Sequence, residues 1–238
     1  MRKRAGVVVL PTATATSGLE AYLQLAEPTT RHRGVHGAHP SYRILFPGGV
    51  LALAKPADEG GDGERRVRHE VAAWKVAQGL GWTDLVGTTV LRQMESGVAP
   101  STATTFSVQV VWPAPIDNPD LSQLRDTDIW RAAAFDAVTV STDRSHNWLG
   151  VPPGPPYQLA LVDHGDAFAT TSSSISSVFF SERQGQPLPD AIRQALELLR
   201  ESDPQRVLSS LLEQDRLDAM MVRIDHLLST RILSLPGP

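Results

Sequence analysis

"TDRSHNWLG", residues 142–150, sets a Thr, an Asp, an Arg, a His and an Asn within six positions and then closes on Trp148 and Leu149. It follows an apolar run, "AAAFDAVTV" at 132–140, that reads as the end of a helix. A surface turn, a metal site and the catalytic loop of a phosphotransferase are three readings of such a cluster. Which holds depends on what lies on either side.

Downstream, "VPPGPP" (151–156) is a rigid turn leading into a short strand, "YQLALVDHG", in which Asp163 follows an apolar run and precedes His164-Gly165. Upstream, three prolines in "PAPIDNP" (113–119) form a stiff connector, the natural place for a joint between two lobes. Before that joint the chain is strand-rich. "GVVVL", "EAYLQLA", "YRILF" and "VLALAKP" read as strands, the last two joined by the turn Pro47-Gly48-Gly49. "VLALAK" is apolar on both faces until Lys55, which predicts a largely buried strand. After the acidic loop "ADEGGDGE" (57–64), Val67, Val71 and Trp74 recur at helical spacing, with Glu70 beside the stripe, and Gly79 and Gly81 end the helix. Residues 86–91 and 105–112 read as two further strands. After the joint, 121–140 makes one helix or two, and three more helices span about 189–201, from Asp203-Pro204, and about 215–230. The prediction is an α+β, two-lobed fold: an N-terminal lobe over 1–112, a joint at 113–118, and a helical C-terminal lobe over 119–238.

Composition narrows the function classes. The chain has 238 residues, 41% apolar and 20% charged, enough for a substantial core. A net charge of −4 gives no support to a nucleic-acid partner. There is no cysteine, which removes disulfides, thiol nucleophiles and Cys-based zinc sites and fits a cytoplasmic location. The apolar run near the N-terminus is too short for a signal peptide, and no run approaches the roughly 20 apolar residues of a membrane helix. Lysines occur only at 3, 55 and 75, so Lys55 at the end of a buried strand stands out.

Lys55, Glu70, Asp143, Asn147 and Asp163 together make the inventory of phosphoryl transfer. A Lys steadies the phosphates and a Glu orients it. One Asp handles the acceptor hydroxyl, and an Asn and a second Asp hold Mg²⁺. Taken singly, each has a plain reading: a snorkelling Lys, a solvated Glu, a turn Asp-Gly, a capping loop. Their order is what carries weight. His146 and His164 beside Asp143 and Asp163 also raise a metal hydrolase, but no HxH or HExxH spacing supports it. No G-x-S-x-G elbow occurs, and the serine run 172–177 reads as a linker or a segment near the site.

The segments "RHEVAAWKVAQGLGWTDLVGTTVLR" (68–92), "FDAVTVSTDRSHNWLG" (135–150) and "LALVDHGDAF" (159–168) resemble a bacterial, largely actinobacterial, kinase-like family related to phosphatidylinositol 3-/4-kinases and HipA-type kinases. The resemblance extends over about 37–238. It implies Lys55 on the phosphates with Glu70 as its partner, Asp143 as the catalytic-loop Asp, and Asn147 and Asp163 as Mg²⁺ ligands. "SVQVVWP" (107–113) would cross the joint with Gln109, Val110 and Val111 facing adenine, and "HGAHPS" (36–41), with Gly37 and Ser41, would cover the phosphates. Two features depart from the pattern. Asn147 stands four positions after Asp143, where kinase loops of the form D-x-x-x-x-N have five, so His146 or Asn147 is the ligand. The covering turn is poor in glycine, and Pro40 offers no N–H. The expected function is ATP- and Mg²⁺-dependent phosphotransfer to a hydroxyl. The alternatives are a pseudokinase-type nucleotide-binding or interaction module, and transfer of AMP on the same fold. With no polybasic or basic amphipathic membrane element, a protein or small-molecule acceptor is expected over a lipid.

Overall fold

The computed structural model describes residues 13–33, 41–57, 62–94, 105–112 and 114–237. The "GVVVL" strand expected near the N-terminus, and Gly37, lie outside the described residues. The chain enters as a helix, α1 (Ala13–Leu25), where "EAYLQLA" was expected to be a strand. The segment satisfies both periods. Its apolar residues alternate, but Leu19, Tyr22, Leu23 and Ala26 also fall at i, i+3, i+4 and i+7, and that stripe packs on a sheet. The apolar sheet face decides in favour of the helix.

That sheet has five antiparallel strands in the order β1-β2-β3-β5-β4. They are β1 (Thr30–Arg33), β2 (Tyr42–Leu45), β3 (Leu51–Pro56), β4 (Thr89–Gln93) and β5 (Thr105–Val110). Pro47–Gly49 turns β2 into β3 as expected, with Tyr42 opposite Ala54 and Leu45 opposite Leu51. Tyr42, Ile44, Ala52, Ala54, Val90, Phe106 and Val108 form one face, sealed by Leu23 of α1. By the alternation of a strand, Arg43, Leu45, Leu51, Leu53 and Lys55 lie on the other face.

Helix α2 (Gly63–Gly79) packs on β4 and β5, and most of its surface is buried. Ala72, Ala73, Trp74, Val76 and Ala77 belong to the main core together with residues of the helices that follow. Those helices are α3 (Asp126–Thr139), α4 (Val178–Arg183), α5 (Asp190–Glu201), α6 (Pro204–Leu208) and α7 (Gln214–Thr230). A second, three-stranded sheet joins β6 (Ile116–Asp117), β7 (Trp148–Val151) and β8 (Gln158–Leu161) in that order. β1, β6, β7 and α4 were not anticipated. β6 has two residues and β7 four, too few to show a period, and α4 is hidden behind the polar serine run.

The α2–α5 contact requires close approach: a Cβ on Gly79 would lie 2.6 Å from Leu199 Cδ1. Overpacking of that kind costs about 1–3 kcal/mol. Gly79→Val is therefore expected to lower the unfolding free energy by that amount, read as a lower urea midpoint, and an unchanged midpoint would contradict the packing described.

Candidate functional site

β3 ends at the cleft between the two sheets and carries Lys55 there. Lys55 Nζ donates to Glu70 Oε1 of α2 and, at 2.8 Å, to Asp163 Oδ1 beyond β8. Glu70 is 3% exposed, Lys55 23% and Asp163 50%, so the trio runs from the interior to solvent. Burial works against the Lys55 ammonium, but Glu70 and then Asp163 outweigh it and raise its pKa above the ordinary lysine value. Burial likewise opposes the Asp163 carboxylate, and the Lys55 charge overcomes it, holding that carboxyl below its usual range.

The opening cluster is organised from inside. Arg144 has no exposed side-chain surface. Its Nε donates to Asp136 Oδ1 of α3 at 3.3 Å, and one terminal nitrogen donates to the carbonyls of Asn147 and Val162, each at 2.6 Å. The other lies 3.0 Å from His164 Nδ1. Arginine only donates, so His164 Nδ1 accepts and its Nε2 carries the proton toward Leu161 O at 3.3 Å. Burial, then the Arg144 charge, keep this imidazole neutral, its pKa pushed well down. Asp136 is fully buried, and its second oxygen accepts from Ser177 Oγ at 2.7 Å. Burial pushes its carboxyl up, against the pull of Arg144 and Ser177.

This core leaves Asp143, Ser145 and His146 on the surface. Asn147 Nδ2 donates to Asp143 O at 2.9 Å and to Asp143 Oδ2 at 3.2 Å. His146 Nε2 lies 3.1 Å from Ser145 Oγ. The β7–β8 pairing sets Trp148 opposite Leu161, and Asn147 O accepts from Val162 N–H at 3.1 Å, so Asn147 and Asp163 leave adjacent strand ends. Both adopt left-handed backbone, with φ of 67° and 58°.

The segment after Asp163 is gripped from α2. Arg66 pairs with Asp166 at 2.8 Å, and His69 Nδ1 lies 3.0 Å from Gly165 O. A carbonyl only accepts, so Nδ1 carries the proton. His69 Nε2 is buried without a hydrogen-bond partner, 3.9 Å from Glu213 Oε2. Burial, with help from Arg216, lowers the His69 pKa to about 4.

At the joint, the Val110 and Val111 N–H groups donate to Thr88 O and Leu51 O, both at 3.0 Å. Gln109 Nε2 donates to Thr89 Oγ1 at 3.1 Å. A Cβ on Gly87 would come 2.8 Å from Val110 O, so the segment before β4 runs directly against the end of β5. Trp112 packs with Val151, Ala160, Leu149 and Val162 on the face of the second sheet away from the main core. Ser41 is half-buried just before β2. Besides His69 Nε2, Glu70 Oε2 and Trp112 Nε1 are buried and unpartnered.

The structure thus gathers Lys55, Glu70 and Asp163 by direct contact, and Asp143 with Asn147 in a neighbouring loop. Arg144, Asp136, His69 and Arg66 were not anticipated as parts of the site. Asp136 did leave a signal, as the one charge in "AAAFDAVTV". Among the described residues there is no group of three or more His, Asp or Glu side chains placed to hold a metal ion.

No family model matches the chain, and no curated protein matches it in sequence. Solved structures do match in fold. The Golgi casein kinase with Mn/ADP bound aligns with a TM-score of 0.65 at 15% identity, over 94% of this chain and 76% of that one. A second structure of the Golgi casein kinase gives 0.65 and 15%, over 94% and 75%. Hydra Fam20 with sugar gives 0.65 and 13%, over 94% and 91%. The chain therefore has an α+β, kinase-like fold of the kind seen in Fam20 and the Golgi casein kinase.

Two outcomes test the interior of the site. Removing one partner of a buried ion pair costs about 3–5 kcal/mol, so Arg144→Met is expected to be that costly. The double variant Asp136→Leu/Arg144→Met should then be at least about 1 kcal/mol less destabilised than the two single losses summed, and strict additivity would contradict the pairing. His69 is held neutral in the fold, with a pKa of about 4 against an ordinary 6.5. Its contribution is complete above the unfolded pKa and is lost as pH falls from 6.5 toward 4, about 3 kcal/mol in all. His69→Leu should flatten stability over that window; an unchanged slope would show that His69 does not titrate there.

Proposed function

We propose that the chain is an ATP- and divalent-metal-dependent phosphotransferase acting on a hydroxyl of a protein or small-molecule acceptor. The observation that carries this reading is Lys55, which reaches Glu70 and Asp163 from a strand end in a kinase-like fold. In phosphoryl transfer the protein mainly positions groups and neutralises charge, and the side chains here suit those tasks.

In this reading Lys55 holds the phosphates and Glu70 fixes the Lys55 ammonium. The Asp143 carboxylate takes the acceptor proton as the acceptor oxygen attacks the γ-phosphorus. The bond from that phosphorus to the β–γ bridging oxygen breaks, leaving ADP. Adenine lies along 109–112, above Leu149 and Val162, where the unpartnered Trp112 Nε1 offers a spare donor. Lobes at 1–112 and 119–238 with a joint at 113–118 belong to this reading. Ser41, just before β2, contacts the phosphates in this reading, and Gly37, expected beside it, lies outside the described residues.

The oxygen donors of Asp163 and Asn147 fit a hard cation such as Mg²⁺ or Mn²⁺. The exposed oxygens of Asp163 and the orphaned Glu70 Oε2 are acceptors that such chemistry uses. Asn147 fits better than His146, because its backbone is fixed beside Asp163 and its side chain is an oxygen donor. When bound, the metal supplies charge neutralisation on the phosphate oxygens. Kinship with the phosphatidylinositol 3-/4-kinase and HipA-type branch rests on the motifs at 68–92, 135–150 and 159–168. A cytoplasmic location agrees with the absence of cysteine; among the described residues no helix is long and apolar enough to cross a membrane.

A second reading, nucleotide binding without transfer, is favoured by one observation. The Asn147 amide is turned onto Asp143, which ties the two polar groups of the short loop to each other. Incubation with ATP labelled at the γ- or the α-phosphate, with cell extract, separates the readings. Transfer of γ-label that falls at least about a hundredfold in Asp143→Asn is expected, an effect of the size general-base loss produces. Nucleotide binding with no γ-label transfer supports the second reading, and α-label transfer means AMP is moved. A melting temperature that no nucleotide shifts would overturn all of them.

A further inference from the structure

The register of the N-terminal sheet carries one more residue to the cleft. Arg43 of β2 stands directly opposite Leu53 of β3, and Leu53 is two residues before Lys55. Directly opposed residues share a face, and so do residues two apart on a strand, so Arg43 and Lys55 project from the same side. With about 3.3 Å per residue and about 4.8 Å between strands, their Cα atoms are roughly 8 Å apart. The opposite face, carrying Tyr42 and Ile44, is the one closed by α1.

Arg43 is exposed, and its guanidinium has no ion pair or hydrogen bond among the described residues. On the same face Leu45 and Leu51, paired across β2 and β3, are partly exposed, 37% and 38%. The charge balance also leaves room for a cation. Lys55 already serves the two carboxyl groups of Glu70 and Asp163, Asp143 adds a third, and Arg66 is taken by Asp166. A nucleotide polyphosphate brings more negative charge to this spot.

Building on the proposed function, we infer that Arg43 is a second cationic ligand of the nucleotide polyphosphate, reaching it from the roof of the cleft while Lys55 reaches it from the back. Its planar fork suits phosphate oxygens, and its length spans the distance from β2.

Calorimetric titration of the full chain with Mg·ADP and with adenosine tests this. Arg43→Ala is expected to weaken Mg·ADP about tenfold or more while adenosine binds as in the wild type, and the melting temperature without ligand should not move. Unchanged Mg·ADP affinity would overturn the inference and leave the proposed function standing. An equal loss for adenosine would overturn it too, placing Arg43 on the base. A wild-type chain that binds neither ligand would overturn both.

Discussion

One guanidinium, with none of its surface in contact with water, ties together the polar loop, the end of β8 and helix α3. Arg144 is anchored to Asp136 of α3 and distributes its remaining donors to the loop (Asn147 O), to the strand end (Val162 O) and to His164. Desolvating that charge is expensive, and the structure offsets the cost with a full set of acceptors. The return is geometric. Asn147 O and Val162 O accept from the same terminal nitrogen of Arg144, so one side chain ties the loop of Asp143 and Asn147 to the strand end that carries Asp163. The neutral His164 belongs to the same device, since only an unprotonated Nδ1 can accept from arginine.

The other half of the site comes from a helix that has little freedom to move. α2 is buried against β4 and β5 on one side and against α5 and α6 on the other. Glu70 therefore meets Lys55 from a rigid support, and His69 and Arg66 of the same helix hold Gly165 and Asp166. The Lys55–Glu70 contact is consequently built into the packing of the main core. Asp163 is held from both directions, by Lys55 and through the adjoining Val162 carbonyl by Arg144.

The sequence made the frame legible where a residue pattern allowed a single structure. β2, β3, α2, α5 and α7 follow from hairpin chemistry or from a long apolar stripe. Lys55, Glu70 and Asp163 could be found because each interrupts an apolar pattern at an element's end or edge. α1 was misread because its apolar residues fit two periods, and the choice was made by a sheet distant in sequence. Arg144 was passed over because a charged residue inside a polar cluster looks solvated. Only its burial against Asp136, eight residues earlier, shows otherwise. His69 was lost for the opposite reason: on a helix stripe it looks like one more packed residue, and its tie to Gly165 spans 96 positions.

If the cleft is a working nucleotide and metal site, ligands bound there must sense each other, because Asp163 faces both Lys55 and the open cleft. The direct measurement is calorimetric titration of ADP with and without Mn²⁺, and of Mn²⁺ with and without ADP. The account predicts that each tightens the other by the same factor, tenfold or more, and that Asp163→Ala abolishes this coupling. ADP and Mn²⁺ affinities that are independent of each other in the wild-type chain would contradict it.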